Sequence, residues 1–233
     1  MDDANKWRAI DIVLAILAAV IVAYGVLALE WSVFVVIALF WLENVIIGVF
    51  NVAKMLISGA RSGYTASMIA ALALAAFFTV HYGMFTAVHG VFVVGLFGEP
   101  ELGRSVNGLF APLARMIGYL LADRDGWLAA VLITVLQGAA FFRWLGTASH
   151  HVATLPALMF APYGRIVILH ITIIVSGVLV IALKAPVLGA LLLVGLKLIF
   201  DLKTATAIGR PSTPHAMAFG RFDVFAEDDA RRP

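Results

Sequence analysis

Apolar residues run along this chain in long blocks, broken by short polar or glycine-containing stretches. Six blocks stand out, at roughly 10 to 29, 32 to 57, 66 to 97, 127 to 145, 163 to 183 and 186 to 208. A helix rises about 1.5 Å per residue, so about twenty residues cross a hydrocarbon core of roughly 30 Å. Lipid offers the backbone no hydrogen-bond partners, so each block is expected to be a helix. The pattern predicts an all-α integral membrane protein, a bundle of about six transmembrane helices over residues 1 to 208.

The third block exceeds what a bilayer needs and is expected to tilt or to extend past the headgroups. Very short breaks around Glu30 and Trp31, and around Lys184 to Pro186, predict antiparallel hairpins. Between the third and fourth blocks, Leu109, Leu113, Met116, Ile117, Leu120 and Leu121 recur at helical spacing within "GEPELGRSVNGLFAPLARMIGYLLADRDG". This predicts an amphipathic helix at about 108 to 122, lying at the outer interface, with a solvated loop as the alternative. The first block, Ile10 to Leu29, is longer than the core of a signal peptide and is expected to be a span. Residues 209 to 233 mix proline, glycine and charge, as a disordered cytoplasmic tail would.

Composition sharpens this picture. The 233 residues are 63% hydrophobic and only 13% charged, which excludes an ordinary soluble domain. No cysteine is present, so disulfides, thiolate metal sites and a cysteine nucleophile are excluded. The net charge of +2 does not indicate nucleic acid, because the basic residues are scattered at block ends. Lys6, Arg8, Lys54, Arg61, Arg143, Arg165, Lys203 and Arg210 fall on one side, and Arg104, Arg115, Arg124 and Lys184 on the other. That bias predicts a multi-pass protein of the cell inner (cytoplasmic) membrane with both termini cytoplasmic and the lipid bilayer as its surroundings.

Polar residues inside the blocks are the candidate chemistry. The second block carries Glu43, Asn44 and Asn51, and the third, in "FFTVHYGMFTAVHGVFV", carries His81 and His89. The fifth carries His170, and the sixth places Lys197 and Asp201 four residues apart, on one helix face. Eight residues separate His81 from His89, about 12 Å of rise, so the two cannot share one metal ion. Depths estimated from the block boundaries bring Glu43, His170 and Asp201 to one level, with His81 slightly further out. Carboxylates and imidazoles that converge from several helices build metal sites in bundles, and this set suits zinc, iron or manganese. Some of these residues also have a structural explanation: His89 lies near the interface beside Gly90, and Lys197 pairs with Asp201, whereas Glu43 has no basic partner at its own helical spacing. The doublet His150 and His151 suits a solvated loop end.

Gly-x-Ser-Gly, His-Glu-x-x-His, Walker and dinucleotide-binding patterns are all missing. The histidine spacing does not match a diheme cytochrome b, and no internal repeat supports an inverted-repeat carrier. The segments "FWLENVIIGVFNVAKM", "HYGMFTAVHG", "PYGRIVILHI" and "LKLIFDLKT" resemble an uncharacterised bacterial polytopic membrane protein family, a domain of unknown function, over roughly residues 10 to 208. The resemblance implies the architecture and brings no activity.

Three functions remain open, and with them whether the chain is an enzyme. One is a metal-dependent membrane enzyme acting on an amphipathic or lipid substrate, with Glu43, His81, His170 and Asp201 as ligands. In that reading Glu43 doubles as general base and Lys197 keeps Asp201 ionised. Another is a proton-coupled small transporter using the same residues. The last is a non-catalytic membrane subunit or scaffold whose polar groups fix helix packing.

Overall fold

A computed structural model describes residues 3–98, 102–103, 110–147, 155–164, 166–167, 170–171, 174–175 and 186–207. The regular elements among them are all α-helices: α1 (Asp3–Ala28), α2 (Val33–Arg61), α3 (Thr65–Phe97), α4 (Ala111–Ala122), α5 (Arg124–Thr147), α6 (Leu155–Phe160) and α7 (Pro186–Ala207). The described residues between Tyr163 and Val175 are helical too. His150, His151 and the tail from 209 lie outside the described residues, as does the expected hairpin at Lys184.

α2 is the central helix, and its sequence explains why. All of Val33 to Trp41, "VFVVIALFW", is buried, and a helix apolar on every side satisfies itself only when surrounded. Its most apolar window is 67% buried, against 22% for α3 and 28% for α5. α2 packs on α3, α4, α5, α6 and α7. Ser32 caps its start, accepting from the Val35 amide at 3.4 Å.

The widest seam joins α2 to α3, and small residues bring the two backbones close. Gly59 meets Ala71, Gly48 lies under the Tyr82 ring, and Gly90 lies under Trp41 and Leu113. Polar groups fix the register. The Trp41 indole donates to the Thr86 carbonyl at 2.7 Å, and the Tyr82 hydroxyl donates to the Asn44 carbonyl at 3.1 Å.

The break at Glu30 and Trp31 is as short as expected. The amides of Leu29 and Trp31 both donate to the Gly25 carbonyl, while Glu30 adopts a left-handed φ of 54°. Yet α1 packs chiefly on α7 and then on α5, so this turn joins helices that are not each other's main partners. The expected interfacial segment is a helix that starts at Ala111, with Pro112 in its first turn. It buries Met116 and Leu120, and Tyr119 sets its ring edge-on to Phe34.

The fifth block starts where expected. A separate short helix, α6, precedes it and ends at Phe160, Ala161 and Pro162 form a turn, and helix resumes at Tyr163. The Ile166 amide donates to the Pro162 carbonyl, so the proline stands at a helix start, as the sequence indicates.

α2, α3 and α5 are each long and apolar enough to cross a membrane, over 29 residues, 33 residues and the 23 residues Arg124–Gly146. The outer face of α3 exposes Ile69, Leu72, Phe77, Val80, Met84, Phe92 and Leu96, an apolar surface suited to lipid. The described apolar part of α1, Ile12–Ala28, and all of α4 are shorter.

A pair of substitutions tests the α2–α3 seam. A Cβ at Gly48 would stand 2.7 Å from the Tyr82 ring, whereas one at Gly83 would meet nothing within 4 Å. Gly48→Ala is expected to cost about 1–3 kcal/mol by overpacking. Gly83→Ala is expected to be neutral or to stabilise by up to about 1 kcal/mol. Thermal unfolding in detergent measures both.

Candidate functional site: a buried carboxylate–lysine–carboxylate cluster

Glu43 sits one position before Asn44, so it leaves α2 about 100° away from the side that faces α3. It points instead toward α5 and α7. There the Lys197 ammonium lies 2.9 Å from Glu43 Oε2 and 2.6 Å from Asp201 Oδ2. The Gln137 side chain, from the middle of α5, donates to Glu43 Oε1 at 2.7 Å. The Phe40 ring lies 5.4 Å from the same ammonium. Glu43 and Asp201 are 3% and 9% exposed, so the cluster is inside the bundle.

Local structure places each member. Lys197 and Asp201 share one face of α7 through their four-residue spacing. Glu43 is brought to them by the packing of α2 on α7 and α5. An ammonium held by two carboxylates can let go of either one when that carboxylate gains a proton. The Gln137 amide steadies the remaining Glu43 oxygen in either state.

The histidines form separate contacts. His81 Nδ1 lies 2.7 Å from the Tyr163 hydroxyl, and its ring stacks on Phe77. His89 Nδ1 lies 2.6 Å from the Phe85 carbonyl, and His89 Nε2 lies 2.9 Å from His170 Nδ1. Asn51 donates to the Leu158 carbonyl at 2.9 Å, tying α2 to α6. Asn44 donates to the Phe40 carbonyl one turn back, leaving its buried Oδ1 without a hydrogen-bond partner.

The single layer expected for Glu43, His81, His170 and Asp201 is therefore corrected. Glu43 and Asp201 meet around Lys197, His81 meets Tyr163, and His170 meets His89. The helix of the fifth block begins at Tyr163 beside His81, midway along α3, and not at the expected cytoplasmic end of the bundle. Seven residues further on, about 10 Å, the chain reaches His170 at the level of His89. Among the described residues, no group of three or more His, Asp or Glu is placed to hold a metal ion. Of the expected zinc, iron or manganese ligands only the two carboxylates converge, and Lys197 lies between them.

Gln137 and Tyr163 were not singled out from sequence. The signal for Gln137 was present, since a lone amide inside "LITVLQGAAFF" needs a buried partner. Glu43 showed no basic partner at helical spacing because its partner comes from a helix more than 150 residues away.

The family model that matches the chain, over residues 1–218, is described as a family of unknown function (DUF6498). No curated protein and no solved structure matches the chain.

Removing the ammonium alone leaves two carboxylates facing each other in the bundle. Lys197→Met is expected to cost about 3–5 kcal/mol. Adding Glu43→Gln and Asp201→Asn to it should recover much of that loss, because the two facing side chains then carry no charge. Denaturant or thermal unfolding of the detergent-solubilised variants provides the comparison.

Proposed function

The chain belongs to that family of unknown function, and we propose that it is a proton-coupled carrier for a small amphipathic molecule in the cell inner (cytoplasmic) membrane. In this proposal about six helices span the bilayer, residues 1 to 208 form one transmembrane domain, and both termini are cytoplasmic. The observation that carries the reading is Lys197 shared between Glu43 on α2 and Asp201 on α7.

A proton that reaches Glu43 removes one of the two charges holding Lys197. The ammonium then stays with Asp201, its neighbour on the same helix, and the link between α2 and α7 loosens. α7 packs chiefly on α1, so these two helices form the natural moving unit against α2. The hydrogen-bonding head of an amphipathic substrate competes for the same carboxylate oxygens, which couples its passage to the proton.

Stability alone is a poor reason to keep this cluster. Replacing a buried ion pair by well-packed apolar residues is often neutral or stabilising, so a purely scaffolding role would not need it. Charged groups inside membrane bundles commonly mark ion or substrate paths. The orientation is supported by basic residues gathered where α2 and α5 end: Lys54 lies over the Trp144 ring, and Arg61 donates to the Leu145 carbonyl.

Proteoliposomes loaded with a pH-sensitive dye test the proposal under an imposed pH gradient and a panel of small amphipathic compounds. Wild-type protein is expected to move protons in a compound-dependent way, with folded Glu43→Gln slower by at least about tenfold. Flux that is absent for every compound, or unchanged in the folded variant, contradicts it.

Topology has its own test, because the chain lacks cysteine. Single cysteines at Ala60 and Ala122, both exposed at helix ends, should react with a membrane-impermeant thiol reagent from opposite sides of the membrane. Reaction from the same side contradicts the proposed arrangement.

A further inference from the structure

The hydrogen bonds around His89 and His170 fix which ring nitrogen carries each proton. A carbonyl only accepts, so the contact between His89 Nδ1 and the Phe85 carbonyl requires Nδ1–H on His89. In the neutral ring His89 Nε2 is then a bare acceptor. The nitrogen 2.9 Å away, His170 Nδ1, must supply the donor. That leaves His170 Nε2 with an open lone pair, on a residue that is exposed while His89 is buried.

We propose that the His89–His170 pair is a binding site for one proton, with His170 Nε2 as the atom that accepts it. A proton from water forms an N–H bond with that lone pair, and no bond breaks. The positive charge is then shared through the Nδ1–H that bridges the rings. Whether the bridging proton sits on His170 or on His89, the added N–H is at His170 Nε2. A second proton would set two N–H donors face to face across 2.9 Å, so the pair holds one proton and loses its bond on taking two.

The position suits such a site. α3 has 33 residues, about 50 Å of helix against a hydrocarbon core of roughly 30 Å, so about 10 Å extends past each boundary if the helix is centred. His89 is eight residues from Phe97, about 12 Å from that end, which puts the pair at the edge of the headgroups. Water reaches a charge there, and the cost of a cation in lipid is small.

Among the described residues, the neighbouring groups supply no counter-charge. Along α3 the next titratable groups are Tyr82 and His81, two turns or so inward, with Tyr163 paired to His81. α2 presents Trp41, and its Glu43 is engaged by Lys197 and Gln137. α4 presents Leu113 to Gly90, directs Arg115 to the Leu102 carbonyl and sets Tyr119 against Phe34. The site stands apart from the Lys197 cluster and does not depend on the carrier proposal.

Nitrogen-15 NMR of the full-length protein in lipid, labelled at its 6 histidines and assigned by single replacements, tests it directly. In the uncharged pair both rings are expected to be Nδ1–H with bare Nε2, with a scalar coupling across the bridge. On acidification one proton should appear at His170 Nε2 before any other ring nitrogen of the pair changes. In His89→Phe the bridge is gone, and His170 should shift toward the Nε2–H tautomer. A neutral His170 already in the Nε2–H form, or both rings gaining protons in a single step, overturns the proposal. The wild-type spectrum decides this even where the variant does not fold.

Discussion

Everything in this bundle has to accommodate one interaction, the ammonium of Lys197 held between the carboxylates of Glu43 and Asp201. Moving an ion out of water costs several kcal/mol even after the surroundings relax. Three such groups in one apolar interior are tolerable only while they remain together. That requirement fixes the rotation of α2, which must turn Glu43 away from α3, and the rotation of α7, which must turn both of its charges inward. It also explains the otherwise solitary Gln137 on α5, whose amide meets the second Glu43 oxygen.

The α2–α3 seam makes this placement possible. Trp41, Asn44 and Gly48 lie on one stripe of α2 and lock onto Thr86, Tyr82 and Gly90 of α3 through hydrogen bonds and close backbone approach. With that stripe committed, Glu43 is aimed at the gap between α5 and α7. α3 and the helical residues from Tyr163 onward then form a second polar seam, whose rungs are His81 with Tyr163 and His89 with His170. The molecule thus separates a charged cluster on one side of α2 from an imidazole seam on the other.

Much of the fold was legible in the sequence because it follows from apolar length and period. The blocks at 32 to 57, 66 to 97 and 127 to 145 correspond to α2, α3 and α5, which among the described residues are the three helices that meet the requirement for crossing a membrane. The amphipathic segment after the third block is a helix for the same reason. The Lys197–Asp201 pair was legible because it is local, four residues on one helix. The partners of Glu43 were not, since no periodicity within α2 says which neighbour it faces. The grouping of the histidines is not legible, because nothing in the spacing of the fifth block says that it begins beside His81, midway along α3, which brings His170 to His89. Depth along a helix depends on where in the bundle its first residue lies.

The central claim is that a proton competes with Lys197 for a carboxylate. Infrared difference spectroscopy of the reconstituted protein across a pH step measures this at the carboxyl groups themselves. A protonated-carboxyl stretch should appear on acidification, vanish in Glu43→Gln and persist in a control that replaces an exposed carboxylate such as Asp123. A folded wild-type protein whose carboxyl spectrum is indistinguishable from that of Glu43→Gln across the whole pH range would contradict the account.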